Sequence, residues 1–137
     1  MHVRGEFEPA DEAAVLDRYE DLGGTAQVVV TEVARAMDLD RETYRERVDA
    51  SVVETARNAL FAESLAVTVG GRAEYETWRE GYDGEVHEIG SDAVDRVVWH
   101  AGPGEEAVAA TFQTEEDAAV GTLRRHAFGR LYRPLVE

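Results

Sequence analysis

The chain of 137 residues contains no cysteine, so disulfide bridges and thiolate metal sites are excluded outright. It contains no lysine either; all 14 basic residues are arginine. No run approaches the roughly 18 consecutive apolar residues that a membrane span requires. That absence predicts a protein with no membrane partner. The opening residues Met1-His2-Val3-Arg4-Gly5-Glu6 lack the basic and then apolar run of a secretory signal. Together these absences predict a cytoplasmic protein. Isoleucine and asparagine each occur once, at Ile89 and Asn58, beside 20 alanines. The skew fits a GC-rich coding sequence.

Codon bias explains arginine over lysine. It does not explain 29 acidic residues against 14 basic ones, a formal charge of −15. Such a surplus repels itself in dilute buffer. At ~1 M salt the Debye length falls to about 3 Å and the repulsion largely disappears. The composition therefore predicts a protein of a salt-accumulating halophile.

Length and patterning point to one domain over residues 1–137, with a possible subdomain seam near residues 63–71. Glu8-Pro9 predicts the start of a first helix with Val15, Leu16, Tyr19 and Leu22 as its apolar stripe. Gly23-Gly24 predicts its end. Thr25 then opens a second helix to about Met37, on which Ala26, Val29, Val30, Val33, Ala34 and Met37 span a wide, buried arc. Asp40 caps a brief helix through Val48. Ser51-Val52-Val53-Glu54 reads as a capping box opening a further helix to near Glu63, with Val53, Ala56, Ala59 and Leu60 inward.

Leu65 to Val69 reads as a strand closed by Gly70-Gly71. Tyr75, Trp78 and Tyr82 have the i, i+3, i+7 spacing of a short amphipathic helix. Strands are predicted over 85–89, 95–101 and 106–113, the last two joined by a Gly102-Pro103-Gly104 hairpin. A final helix runs from Thr114 to about Arg133. Helices first and mostly antiparallel strands later make the fold class α+β, closed by a C-terminal helix.

Three constellations bear on function. The first is a helix-turn-helix pattern over residues 32–48. Ala34 marks a close helix crossing, Leu39 follows the turn, and Tyr44 and Val48 face inward. Arg41, Arg45 and Arg47 would then contact DNA. Against this, Asp38 stands where glycine is usual, and Glu42, Glu46 and Asp49 offset the three arginines. The bland alternative is two ordinary helices meeting at a tight turn.

The second is the C-terminal helix. Residues 1–120 carry 10 Arg against 28 acids, a net of −18, whereas residues 121–137 carry 4 Arg against Glu137 alone, a net of +3. Leu123, Ala127 and Leu131 stay within about 60° of Val120 on a helical wheel and mark the core face. Arg125, His126 and Arg133 fall on the far side with Tyr132 beside them, and Arg124 lies at the stripe edge next to Phe128. This face pairs with acids of the same chain, docks a second copy, or holds an anionic partner such as nucleic acid. Pairing within the chain is the narrow favourite, helped by the helix dipole.

The third is histidine with carboxylates. His87 lies near Glu85 and Glu88, and His100 follows Trp99. The two histidines would meet only if their strands were neighbours, and no H-E-x-x-H or similar spacing supports a metal. The Tyr75, Trp78, Tyr82 stripe would floor a ligand pocket or, more simply, pack in the core. No nucleophile elbow or phosphate-binding glycine loop is present, so no catalytic residue, metal or cofactor is expected.

Residues 23–30, 95–100 and above all 110–133 (Ala110-Thr111-Phe112-Gln113-Thr114-Glu115-Glu116-Asp117 through Tyr132-Arg133) carry a resemblance. There the chain resembles an uncharacterised family of short acidic haloarchaeal proteins defined only as a domain of unknown function. The likeness spans nearly the whole chain and implies a habitat and a single domain, with no activity to carry over. The leading expectation is a non-enzymatic interaction module, a homodimer through the final helix. The alternative is a helix-turn-helix DNA-binding regulator.

Overall fold

A computed structural model of the chain describes residues 1–137. Its elements are β1 (His2–Arg4), α1 (Glu12–Ala36), α2 (Arg41–Arg47), α3 (Ala50–Ser64), β2 (Val67–Gly71) and α4 (Arg72–Gly81). They continue with β3 (Glu85–Ile89), β4 (Arg96–Ala101), β5 (Glu106–Phe112) and α5 (Glu116–Ala127), then a π-helical turn (Phe128–Tyr132) and α6 (Arg133–Val136). The class is α+β, with helices in the N-terminal half and a helix closing the chain.

The first departure from expectation is α1, one continuous helix of 25 residues. Pro9 precedes it, and Asp11 supplies the cap by accepting from the Ala14 N–H at 2.8 Å. Gly23-Gly24 lies in its interior. The reason is tertiary. Arg57 of α3 lies across this turn, its guanidinium 4.1 Å from the centre of the Tyr19 ring and its Nε donating to the Tyr19 carbonyl at 2.6 Å. A Cβ at position 23 would stand 3.3 Å from Arg57 Nη2, so glycine makes room for the guanidinium. Packing of α1 on α3 outweighs the helix penalty of about 1 kcal/mol per glycine.

The turn after α1 holds Asp38 at φ 58°, a left-handed conformation that aspartate tolerates better than most residues. Asp40 caps α2 as expected, accepting from Thr43 N–H at 2.7 Å. The cap of α3 is Asp49 rather than Ser51. Its carboxylate accepts from the N–H groups of Ser51 and Val52 at 3.0 and 3.1 Å, which places Ser51 inside the helix. The inward stripe expected on α3 is also displaced. Phe61 and Ala62 are buried, whereas Ala59 is exposed.

The sheet has strand order β1-β2-β4-β5-β3. The edge strand β1 is too short to leave a periodic signal and goes unforeseen from sequence. Pairings are antiparallel except β3 with β5, which run parallel with Glu85 opposite Glu106 and His87 opposite Val108. Glycines 102 and 104 shape the β4–β5 hairpin, closed by Gly102 N–H donating to the Glu106 carbonyl at 2.9 Å. Period-2 alternation divides β4 and β5 between two faces.

On one face Val98, Val108 and Ala110 join Val15, Phe61, Leu65, Val67, Val69 and the stripe Val120, Leu123, Ala127 and Leu131 in the main core. On the other, Val97, Trp99 and Ala109 pack under Tyr75 of α4. Both faces of β4 are therefore covered. Phe61 is the hub of the main core, with Phe7, Phe128 and Tyr132 rings centred 5.5, 5.6 and 5.2 Å away.

The final helix deviates from α geometry at residues 128–132. The wider i→i+5 turn under-winds the chain there and swings Tyr132 inward. Tyr132 was expected beside Arg133 on the outer face, yet it is fully buried.

Candidate functional site

An apolar groove lies between the C-terminal half of α1 and residues 51–59 of α3. Val29, Val33 and Met37 line one wall at i, i+4, i+8, while Val52, Thr55, Ala56 and Ala59 line the other. Its volume is about 500 Å³. The arc expected to make α1 the most buried helix is thus only half covered. Ala26, Val30 and Ala34 are buried, but Val33 is 53% and Met37 58% exposed. Aliphatic side chains are thus gathered in one groove and open to water, an exposed apolar surface of the kind that interaction sites use.

Of the arginines of the helix-turn-helix pattern, Arg47 borders this groove. α2 is a seven-residue helix with no buried residue. Arg41, Arg45 and Arg47 are exposed, and Arg47 contributes to the groove wall. Tyr44 and Val48 are half-buried. Ala34 is buried, as a close helix crossing requires.

The basic C-terminal segment divides into inner and outer members. Arg124 is buried; its Nε donates to the Leu65 carbonyl at 3.0 Å and its Nη2 to the Arg4 carbonyl at 3.1 Å. It therefore ties the final helix to the strand side of the molecule. Arg133 pairs with Glu137 at 3.5 Å and lies over the Phe128 ring. Arg125 is exposed. His126 is half-buried, and its Nε2 has no hydrogen-bond partner. Burial first, then the charges of Arg130 and His87, push its pKa below the usual value.

The histidines do not converge as a pair. His87 and His100 both lie beside Val108, from β3 on one side of β5 and from β4 on the other. Two strand spacings of about 4.8 Å hold them apart. His100 is buried and both its ring nitrogens are engaged, Nδ1 with the Ala66 carbonyl at 2.6 Å and Nε2 with the Tyr132 hydroxyl at 2.5 Å. The carbonyl accepts only, so Nδ1 carries the proton and the tyrosine O–H donates to Nε2. Desolvation holds the imidazole neutral by lowering its pKa. His87 instead faces Glu85 and Glu106, with its Nδ1 3.9 Å from the first and its Nε2 3.6 Å from the second. Of the two glutamates close to His87 in sequence, Glu85 is thus beside it, whereas Glu88 points to the other face, where it accepts from the Tyr75 hydroxyl.

Of the two roles weighed for the aromatic stripe of α4, packing is the one its contacts display. Tyr75 is buried against Trp99. Trp78 stacks between Tyr75 and Tyr82 at 5.9 and 4.8 Å. It also borders a second cavity of about 500 Å³ shared with Trp99, His100, Glu8 and Glu74.

No helix is long and apolar enough to cross a membrane. No curated protein and no solved structure matches the chain. The groove and the histidine cluster both fall within residues 6–133, the span that matches a family of unknown function, DUF5809. The chain belongs to that family.

Proposed function

We propose that the protein is a non-enzymatic interaction module of a halophile, working in concentrated salt as a homodimer joined through the α1–α3 groove. One observation carries the reading: valine and methionine side chains line a solvent-open groove on two packed helices. The occupant is a second copy, because one face carries both large exposed side chains (Val29, Val33 and Met37) and a run of small ones (Thr55, Ala56 and Ala59). A two-fold axis sets the large side chains of each copy against the small ones of the other, the reciprocal arrangement an isologous interface demands.

The charges at the rim suit this partner. Arg41, Arg45 and Arg47 form no ion pair within their own chain, whereas the opposite copy brings a strongly acidic surface. Two bodies of charge −15 associate better as salt shortens the range of their repulsion. Both ring nitrogens of His100 are engaged inside the core, which removes that histidine as a free acid–base group.

Light scattering in concentrated KCl tests it. The parent is expected at twice the chain mass and Val33→Glu at the chain mass, with Arg125→Glu still dimeric. A monomeric parent overturns the reading. So does a dimer that survives Val33→Glu and dissociates with Arg125→Glu, which would return the interface to the final helix. The free arginines of α2 favour one second reading, a DNA-binding regulator. Sequence-dependent, salt-resistant retention of DNA fragments lost in Arg45→Glu would establish it.

A further inference from the structure

The parallel register of β3 on β5 sets Glu85 directly opposite Glu106. Paired residues of parallel strands project to the same side, and like charges so placed repel. An arginine beside them would normally relieve the repulsion. Neither carboxylate has one; the only basic group either meets is His87. Its Nε2 is sealed from solvent and lacks a hydrogen-bond partner, lying 3.6 Å from Glu106 Oε1 and so beyond hydrogen-bond length. A donor atom from each of Glu85, His87 and Glu106 falls within 4.8 Å of the others. On the helix side, His126 of α5 supplies a second buried, unpartnered Nε2. The charged groups bearing on that histidine are Arg130 and His87 itself.

We propose that Glu85, His87 and Glu106 bind one divalent transition-metal ion of the zinc class. Two carboxylate oxygens and one imidazole nitrogen are a donor set such ions take, at about 2.0–2.2 Å from each donor. Tetrahedral placement at those lengths separates neighbouring donors by about 3.4 Å, close to the 3.6 Å between His87 Nε2 and Glu106 Oε1. Glu85 stands 3.9 Å from the other ring nitrogen, Nδ1, and is largely exposed, so its carboxylate must swing toward Nε2 to join Glu106 on the ion. Magnesium, which prefers oxygen donors in a strict octahedron, fits the imidazole poorly. The ion neutralises the paired carboxylates and fastens β3, an edge strand held only by β5, to the rest of the sheet.

Calorimetric titration of chelator-stripped full-length protein with Zn2+, and separately with Mg2+, is the test. The parent is expected to take up one equivalent of Zn2+ and no Mg2+. His87→Ala is expected to abolish uptake, and Glu106→Gln to weaken it at least about tenfold. His2→Ala, remote from β3, should bind as the parent does. Melting gives an independent readout. Metal-free Glu106→Gln, relieved of its like-charge neighbour, should melt above the metal-free parent, and saturating Zn2+ should reverse that order. Absence of Zn2+ uptake by the parent, equal uptake by His87→Ala, or equal affinity for Mg2+ overturns the site.

Discussion

Gly24→Ala isolates the energetics of α1. Nothing lies within 4 Å of a Cβ built at position 24, so the substitution adds no contact and removes none. What changes is backbone entropy. A glycine inside a helix costs about 0.8–1.0 kcal/mol relative to alanine. If α1 runs unbroken from Glu12 to Ala36, Gly24→Ala should stabilise the protein by nearly that amount. For a chain of this size the melting temperature should rise by about 3–5 °C. Gly23→Ala is the internal control. Its Cβ would meet Arg57 Nη2 at 3.3 Å and Cζ at 3.4 Å, which pushes the guanidinium off the Tyr19 ring and cancels some or all of the propensity gain. Scanning calorimetry in high salt reads both. A fall in melting temperature for Gly24→Ala would refute the argument, because it would mean that residues 23–24 break the helix as their glycine content alone predicts.

Other outcomes follow from the core and its caps. Phe61→Ala, at the centre of the aromatic cluster, should lose about 3–5 kcal/mol in denaturant titration. Asp49→Ala, removing two accepted N–H bonds from the start of α3, should cost about 0.5–2 kcal/mol. Tyr132→Phe leaves His100 Nε2 without its donor and should cost about 1–3 kcal/mol, measured in the same way. Burial lowers the folded-state pKa of His100, so the unfolded chain binds the proton more readily. The resulting stability is complete above the unfolded value of about 6.5 and is lost as pH falls below it. Melting between pH 7.5 and 5.5 should show a shallower decline for His100→Gln than for the parent; an equal decline would remove His100 as the cause.

How much of this was legible in the sequence depends on how local each cause is. Strand β3 (Glu85–Ile89) and the Gly102-Pro103-Gly104 hairpin came out at the expected positions, because their pattern and turn chemistry act over a few residues. The core stripe Val120, Leu123, Ala127 and Leu131 was equally readable. Position 23 was misread because its glycine answers to Arg57, 34 residues away, and not to a helix end. Tyr132 was misread because a single π-helical turn shifts the phase of the wheel. The half-open apolar arc of α1 is not legible in the sequence, because periodicity reports which residues share a face and not whether that face is covered. Glu85 and Glu106 were invisible as a pair. Their meeting depends on a parallel register between strands separated by β4 in sequence, and two glutamates are background among 29 acids.

The use of arginine throughout has a structural reason beyond codon choice. Arg57 lies on Tyr19, Arg18 on Phe7, Arg96 on Phe112 and Arg133 on Phe128. Arg124 reaches two backbone carbonyls from a buried position. A planar, weakly hydrated guanidinium can stack and fork in this way, whereas a lysine ammonium would draw water into the same places. Arg4, Arg35, Arg72 and Arg79 add ion pairs with neighbouring carboxylates. Only Arg41, Arg45, Arg47, Arg125 and Arg130 keep their charge unspent on the chain's own acids or aromatic rings. Three of those five lie on α2, where Arg47 borders the apolar groove. In a protein where carboxylates outnumber arginines two to one, arginines without an acid of their own chain are the exception, and in the dimer proposed above the carboxylates of the second copy would be their partners.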